Sequence, residues 1–191
     1  MPFRERQLVI LMVDLARFTH AAAGMDSFAV AGLIDRFYTA ASAAVIGHGG
    51  RVVKYLGDGC LAVFPSDGAV DAVDCVDDLN LLVDELGATL DADLELGANI
   101  HLCTVVEGEF GPDGVYDIVG TGVIHAFRMG SGPGVRVSEP VYRKLPSPGV
   151  AHGRSTNHRR PIARSQDERA AHGDGRILDD GRGGQHSALA T

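Results

Sequence analysis

Asp58 stands between Gly57 and Gly59 in the stretch GGRVVKYLGDGCLAVF, residues 49–64. The two glycines let the backbone reverse sharply and approach a ligand closely. A carboxylate in such a turn can serve only its own loop, by hydrogen-bonding the backbone beside it. A second carboxylate widens what Asp58 could do. Asp14 closes the apolar run LVILMV at residues 8–13. Paired carboxylates, together with substrate phosphates, hold magnesium, which takes oxygen ligands and keeps several waters. Two such ions a few ångströms apart bind both the attacking and the leaving oxygen of a phosphoryl displacement. Asp71, Asp74, Asp77, Asp78 and Asp84 form a second acidic group, but their helical spacing reads as a solvated face.

For Asp14 and Asp58 to meet, the strands that carry them must be neighbours. Residues 8–13 read as a fully buried strand. A helix runs from Asp26 or Ser27, either a suitable N-cap, towards His48. Its inward stripe is Leu33, Ile34, Phe37, Tyr38, Ala41 and Val45. Two strands then flank Asp58. In the first, Val52, Lys54 and Leu56 alternate with Val53 and Tyr55; the second, residues 60–64, is apolar almost throughout. A second helix is expected over residues 69–86, with Val73, Val76, Leu79, Leu82 and Leu86 inward. A long strand (94–106), a turn-rich arm, a strand (115–119), a short helix (123–129) and a strand (135–137) follow, with one or two helical turns at 139–145. This is an α+β order: a ferredoxin-like βαββαβ core with an added strand–helix–strand, one sheet covered by helices on one side. In such a sheet the Asp14 and Asp58 strands lie side by side.

A chain of 191 residues fits one domain with an appendage. Its net charge of −8 argues against a nucleic-acid partner, which would need clustered Lys and Arg. That charge is unevenly spread. Residues 1–150 carry 10 basic and 20 acidic groups, whereas residues 151–191 carry 7 and 5. The latter segment has no aromatic residue, and its strongly apolar residues are Ile162, Ile177, Leu178 and Leu189. It cannot bury enough apolar surface to offset its ordering entropy. The expected division is a folded domain at 1–147 and a low-complexity, disordered tail at 148–191. Cys60, Cys75 and Cys103 show no metal-like spacing, and each sits in an apolar run that suits a buried free thiol. The run at 8–13 is too short for a signal peptide or a membrane span. A cytoplasmic protein with no membrane partner is expected.

Four segments resemble, in order, the catalytic domain of the class III nucleotide cyclases. VDLARFT (13–19) is similar to the family's first metal motif, and GGRVVKYLGDGCLAVF to its second. NIHLCTVVEGEFG (99–111) resembles the family's strand motif, with Cys103 where a glycine is usual. YDIVGTGVIHAFRM (116–129) resembles the substrate-binding strand and the helix after it. The resemblance covers residues 7–145. It implies an adenylate cyclase of the class III fold, which turns ATP into 3′,5′-cyclic AMP and pyrophosphate with two magnesium or manganese ions per site. Asp14 and Asp58 resemble the metal-binding aspartates, with the Leu15 carbonyl as a further ligand. Lys54 and Asp117 resemble the pair that reads adenine; without the family they would be a snorkelling strand lysine and a turn former. Arg128 resembles the arginine that stabilises charge on the α-phosphoryl group, which its planar, permanently charged fork suits. The backbone amides of residues 16–19, including Phe18 and Thr19, would cradle the outer phosphates. In this family the metal residues come from one protomer and the purine and transition-state residues from the other, which implies a homodimer with shared sites.

Two features depart from the family. Ile124 stands where the family places its transition-state asparagine, and a butyl side chain offers no donor. His125 is adjacent but projects from a different side of a helix. The tail, in turn, holds nothing like the family's closing segment with its phosphate-binding Lys-Gly. These departures leave a catalytically weak nucleotide-binding or dimerising relative as the alternative. A diguanylate cyclase on the same core would need a Gly-Gly-(Asp/Glu)-Glu-Phe turn, and YLGDGC lacks the second acidic residue.

Overall fold

The computed structural model describes residues 3–146 and 162–164. The chain runs through β1 (Arg4–Ala16), α1 (Phe18–Ala22), α2 (Ser27–Gly47), the hairpin β2 (Arg51–Leu56) and β3 (Gly59–Pro65), and α3 (Ala69–Leu90). It continues through β4 (Glu95–Phe110), β5 (Val115–Val119), α4 (Thr121–Arg128), β6 (Gly134–Val137), α5 (Glu139–Tyr142) and β7 (Ile162–Arg164). The strands form one sheet in the order β2-β3-β1-β4-β6-β7, with β5 paired to β4. β1 lies antiparallel between β3 and β4, as the ferredoxin-like order requires.

Alternation along β1 divides the molecule. Val9, Leu11, Val13 and Leu15 join Leu33, Phe37, Ala41 and Val45 of α2 and Val73, Val76, Leu79 and Val83 of α3 in the main core. Leu8 and Ile10 project to the opposite face, where Leu61, Val63, Val105, Ile118 and Ala126 make a smaller core under α4. Asp14 follows in that second series. It therefore belongs to the face that the two long helices leave open. Asp26 caps α2 by accepting the Ala29 N–H at 2.8 Å. Among the described residues α2 is the one helix long and apolar enough to cross a membrane, and here its apolar stripe is packed in the main core.

Four expectations change. Helices were expected on one side of the sheet, but α4 packs on the other, with Ala126 in the smaller core. The register of β2 slips between Val52 and Lys54, so its alternation breaks: Val52 packs into the main core while Val53 and Leu56 pack on the open face. α3 continues to Leu90 and buries Val83 and Gly87, with Leu82 only half-buried. The tail also contributes a strand, since Ile162 pairs with Val135 in a parallel β6–β7 ladder. An exposed strand edge recruits backbone N–H and C=O groups whatever the side chains, so composition did not signal this strand. The expectation of disorder for the rest of 148–191 falls outside the described residues.

Candidate active site

Strand register brings Asp14 and Asp58 together. Asp14 lies opposite Gly59, and the Leu15 N–H donates to the Asp58 carbonyl at 3.0 Å. Gly57 takes φ +65°, a backbone state that favours glycine, to close the turn. Its carbonyl accepts from the Tyr38 hydroxyl at 2.5 Å, and the Tyr38 ring stacks on Tyr55 with centroids 4.0 Å apart. α2 thereby pins the turn that carries Asp58. Glycines also leave room for the carboxylates. A Cβ at Gly59 would collide with the Val13 carbonyl, and one at Gly97, paired with Asp14 across β4, would strike Asp14 Oδ1.

Burial raises the Asp14 carboxyl above its ordinary value, the Asp58 charge raises it further, and Arg136 acts in the opposite sense. Among the described residues no group of three or more His, Cys, Asp or Glu makes a ready-built metal cage. The donors at this point are all oxygens: two carboxylates and the backbone carbonyls beside them. Phosphates and water would have to complete the shell, which is how magnesium is usually held. A half-buried pair of like charges with oxygen donors fits a divalent cation. On the other side of Asp14, Arg17 adopts φ 66° at the start of α1, and its guanidinium pairs with Asp93 and, at 3.2 Å, with Glu95. Phe18 then packs against the main core and Thr19 is exposed.

Lys54 and Asp117 come from strands far apart in the sheet, yet Lys54 Nζ donates to Asp117 Oδ2 at 2.5 Å. The second Asp117 oxygen accepts the Ile118 N–H at 2.7 Å, which orients the carboxylate. Both side chains are part-exposed, open to a ligand.

α4 is set on the open face by Asn99, whose amide donates to the carbonyls of Ala126 at 3.0 Å and Gly130 at 2.9 Å. Gly122 lets the helix start directly against Cys103. Burial pushes the Cys103 thiol up to about 11 and those of Cys60 and Cys75 to about 12, so all three pack as inert thiols. Arg128 is exposed and has no ion-pair partner among the described residues. Ile124 is 53% exposed, so it does not fill a core position. His125 turns to the sheet, its ring 4.7 Å from that of His101, which burial and His125 together push down to about 4. His125 thus packs against His101 and away from the side occupied by Ile124.

Gly97 and Arg136 are the site residues that sequence reasoning missed. A lone glycine inside a strand does signal a close approach, so Gly97 was readable. Arg136 carried no local mark: only the parallel pairing of β6 with β4 brings it near Asp14. Its guanidinium donates to the carbonyls of Ser131 at 2.7 Å and Gly132 at 3.2 Å, folding that loop over Gly97.

No protein-family model and no curated protein matches the chain. Solved structures do. The guanylyl cyclase Cya2 superposes with a TM-score of 0.70 at 24% identity, over 77% of this chain and 82% of that one. The adenylyl cyclase CyaB from P. aeruginosa gives 0.71 at 20% identity, over 75% and 82%. A bacterial light-regulated adenylyl cyclase gives 0.68 at 17% identity, over 78% and 47%. The chain has the nucleotide cyclase fold. Adenylyl and guanylyl cyclases share it, so the cyclase fold alone leaves the choice of base open.

The state of Asp14 generates a prediction. A carboxyl raised in the folded state opposes folding once the pH exceeds its unfolded value, because the unfolded chain then carries the charge more easily. Asp14→Asn should therefore melt at or above the parent temperature at neutral pH without metal, and the gap should close as the pH falls through the carboxylate range. Manganese should raise the melting temperature of the parent more than that of the variant. A variant that melts lower without metal, or gains as much from manganese as the parent, would contradict the assignment.

Proposed function

We propose that the chain is an adenylate cyclase. The ATP 3′-oxygen attacks the α-phosphorus, the bond from that phosphorus to the bridging β-oxygen breaks, pyrophosphate leaves, and the 3′-hydroxyl proton passes to solvent. The observation that carries this reading is the meeting of Lys54 with Asp117, since the fold alone does not choose a base. The Asp117 carboxylate can accept from the exocyclic amine of adenine while the Lys54 ammonium donates to a ring nitrogen. Guanine presents the reverse pattern at that edge.

Asp14, the Leu15 carbonyl and Asp58 would hold two magnesium or manganese ions, whose chemistry is to offset phosphate charge and acidify the ribose hydroxyl. Residues 16–19 lead from Asp14 into α1, where their N–H groups can meet the outer phosphates. Arg128, exposed and unpaired among the described residues, brings a permanent charge to the α-phosphoryl oxygens. A homodimer is part of the proposal. Val115, Val119, Ile124 and Phe127 are exposed apolar residues on β5 and α4, a surface that a second copy would cover.

A second reading, a catalytically weak nucleotide-binding or dimerising relative, rests on Ile124. It is exposed on α4, the helix that carries Arg128, and supplies no hydrogen bond there. Loss of one preorganised donor typically costs roughly 10²–10³ in turnover. With Arg128 and the aspartates in place, a slow enzyme follows.

Two experiments test this reading. Asp58→Ala and Arg128→Ala chains should each be inactive alone, while their mixture forms heterodimers with one intact site and regains activity. Demonstrated heterodimers without activity would count against a shared site. Ile124→Asn should raise single-turnover rates about tenfold with little change in ATP affinity, since the restored donor acts mainly in the transition state. An unchanged or slower rate would remove Ile124 from the account.

A further inference from the structure

Lys54 and Asp117 meet although β3, β1 and β4 separate their strands in the sheet order. No ladder hydrogen bond can hold them together. A different set of contacts does so. The Arg51 guanidinium lies 3.5 Å from the centre of the Tyr116 ring. The Tyr116 hydroxyl donates to Glu107 Oε2 at 3.0 Å, and Glu107 Oε1 accepts from Arg6 at 3.3 Å. The same ring packs against the smaller core on the open face. Tyr116 is thus gripped by β2 at its face and by β4 at its hydroxyl, with β1 steadying Glu107.

Arg51 opens β2, and Tyr116 immediately precedes Asp117 on β5. Resting on the cyclase reading, we propose that Arg51 and Tyr116 are positioning residues for purine recognition. Their cation–π contact docks β5 onto β2 and so sets the spacing of the Lys54 ammonium from the Asp117 carboxylate. Recognition of a purine edge needs a donor and an acceptor at fixed separation, and misplacement by about 1 Å can cost about 10²-fold. Arg51 suits the task because a planar guanidinium stacks on an aromatic face, which an ammonium cannot do in the same way. With its face on Tyr116, Arg51 acts through Asp117 and does not contact the nucleotide.

The test uses the full chain with Arg51→Ala, Tyr116→Ala, the double variant and Tyr116→Phe. Hydrogen exchange of residues 116–118 should quicken about tenfold in Arg51→Ala and further in Tyr116→Ala, which also loses the Glu107 bond and the packing of the ring; the double variant should match Tyr116→Ala, because the Arg51 contact needs the ring. Residues 9–13 of β1 should keep parental protection. In steady state, the preference for ATP over GTP should fall roughly tenfold through KM, with kcat within about threefold. Tyr116→Phe, which keeps the ring face, should retain most of that preference. Unchanged exchange in β5, or additive losses in the double variant, overturns the tie. A KM raised equally for ATP and GTP overturns the positioning role and makes Arg51 a direct nucleotide ligand. A parent that cyclises neither nucleotide overturns the cyclase reading and the purine role with it, while the exchange pattern still decides separately whether Arg51 docks β5.

Discussion

Two carboxylates held side by side repel, and the surroundings of Asp14 and Asp58 are arranged around that repulsion. The register of β1 against β3 sets Asp14 opposite Gly59, and so fixes the backbone positions from which the two carboxylates project. Tyr38 clamps the Gly57 carbonyl, and the Leu15 N–H holds the Asp58 carbonyl, which stiffens the turn from both sides. Arg136 offsets part of the charge but gives its guanidinium hydrogen bonds to the carbonyls of residues 131–133, not to either carboxylate. A charge pair of this kind opposes folding, and a bound cation would offset it.

Strand alternation divides the molecule into a closed and an open face. α2 and α3 cover one side of the sheet with long apolar stripes, and that side supplies the stability. The other side holds a smaller core, the polar pairs and α4. The sheet must curl for β5 to meet β2, and the Lys54–Asp117 and Arg51–Tyr116 contacts mark where it does. The polar pairs thus lie where packing is thinnest, as is common for sites that must admit a ligand.

Legibility in the sequence followed the range of the interactions. The helices were readable because their stripes recur locally, and Asp26 announced the start of α2. The pairing of Asp14 with Asp58 was readable because the strand order implied it. Lys54 with Asp117 was readable only through family resemblance, since the bulge in β2 and the curl of the sheet leave no periodic trace. Arg136, which arrives through a parallel crossover, was invisible for the same reason. The β7 strand is seen through its backbone pairing with β6, which composition does not signal. His125 shows the opposite case: its side of the helix was readable, but its partner His101 was not.

The central claim is that this open face cyclises ATP. The purified 191-residue chain incubated with manganese and either ATP or GTP, with products separated and identified, tests it most directly. The account predicts slow formation of 3′,5′-cyclic AMP and pyrophosphate in equal amounts from ATP, with GTP the poorer substrate. Cyclic GMP as the main product would contradict the role given to Lys54 and Asp117, and no cyclic nucleotide from either would contradict the account as a whole.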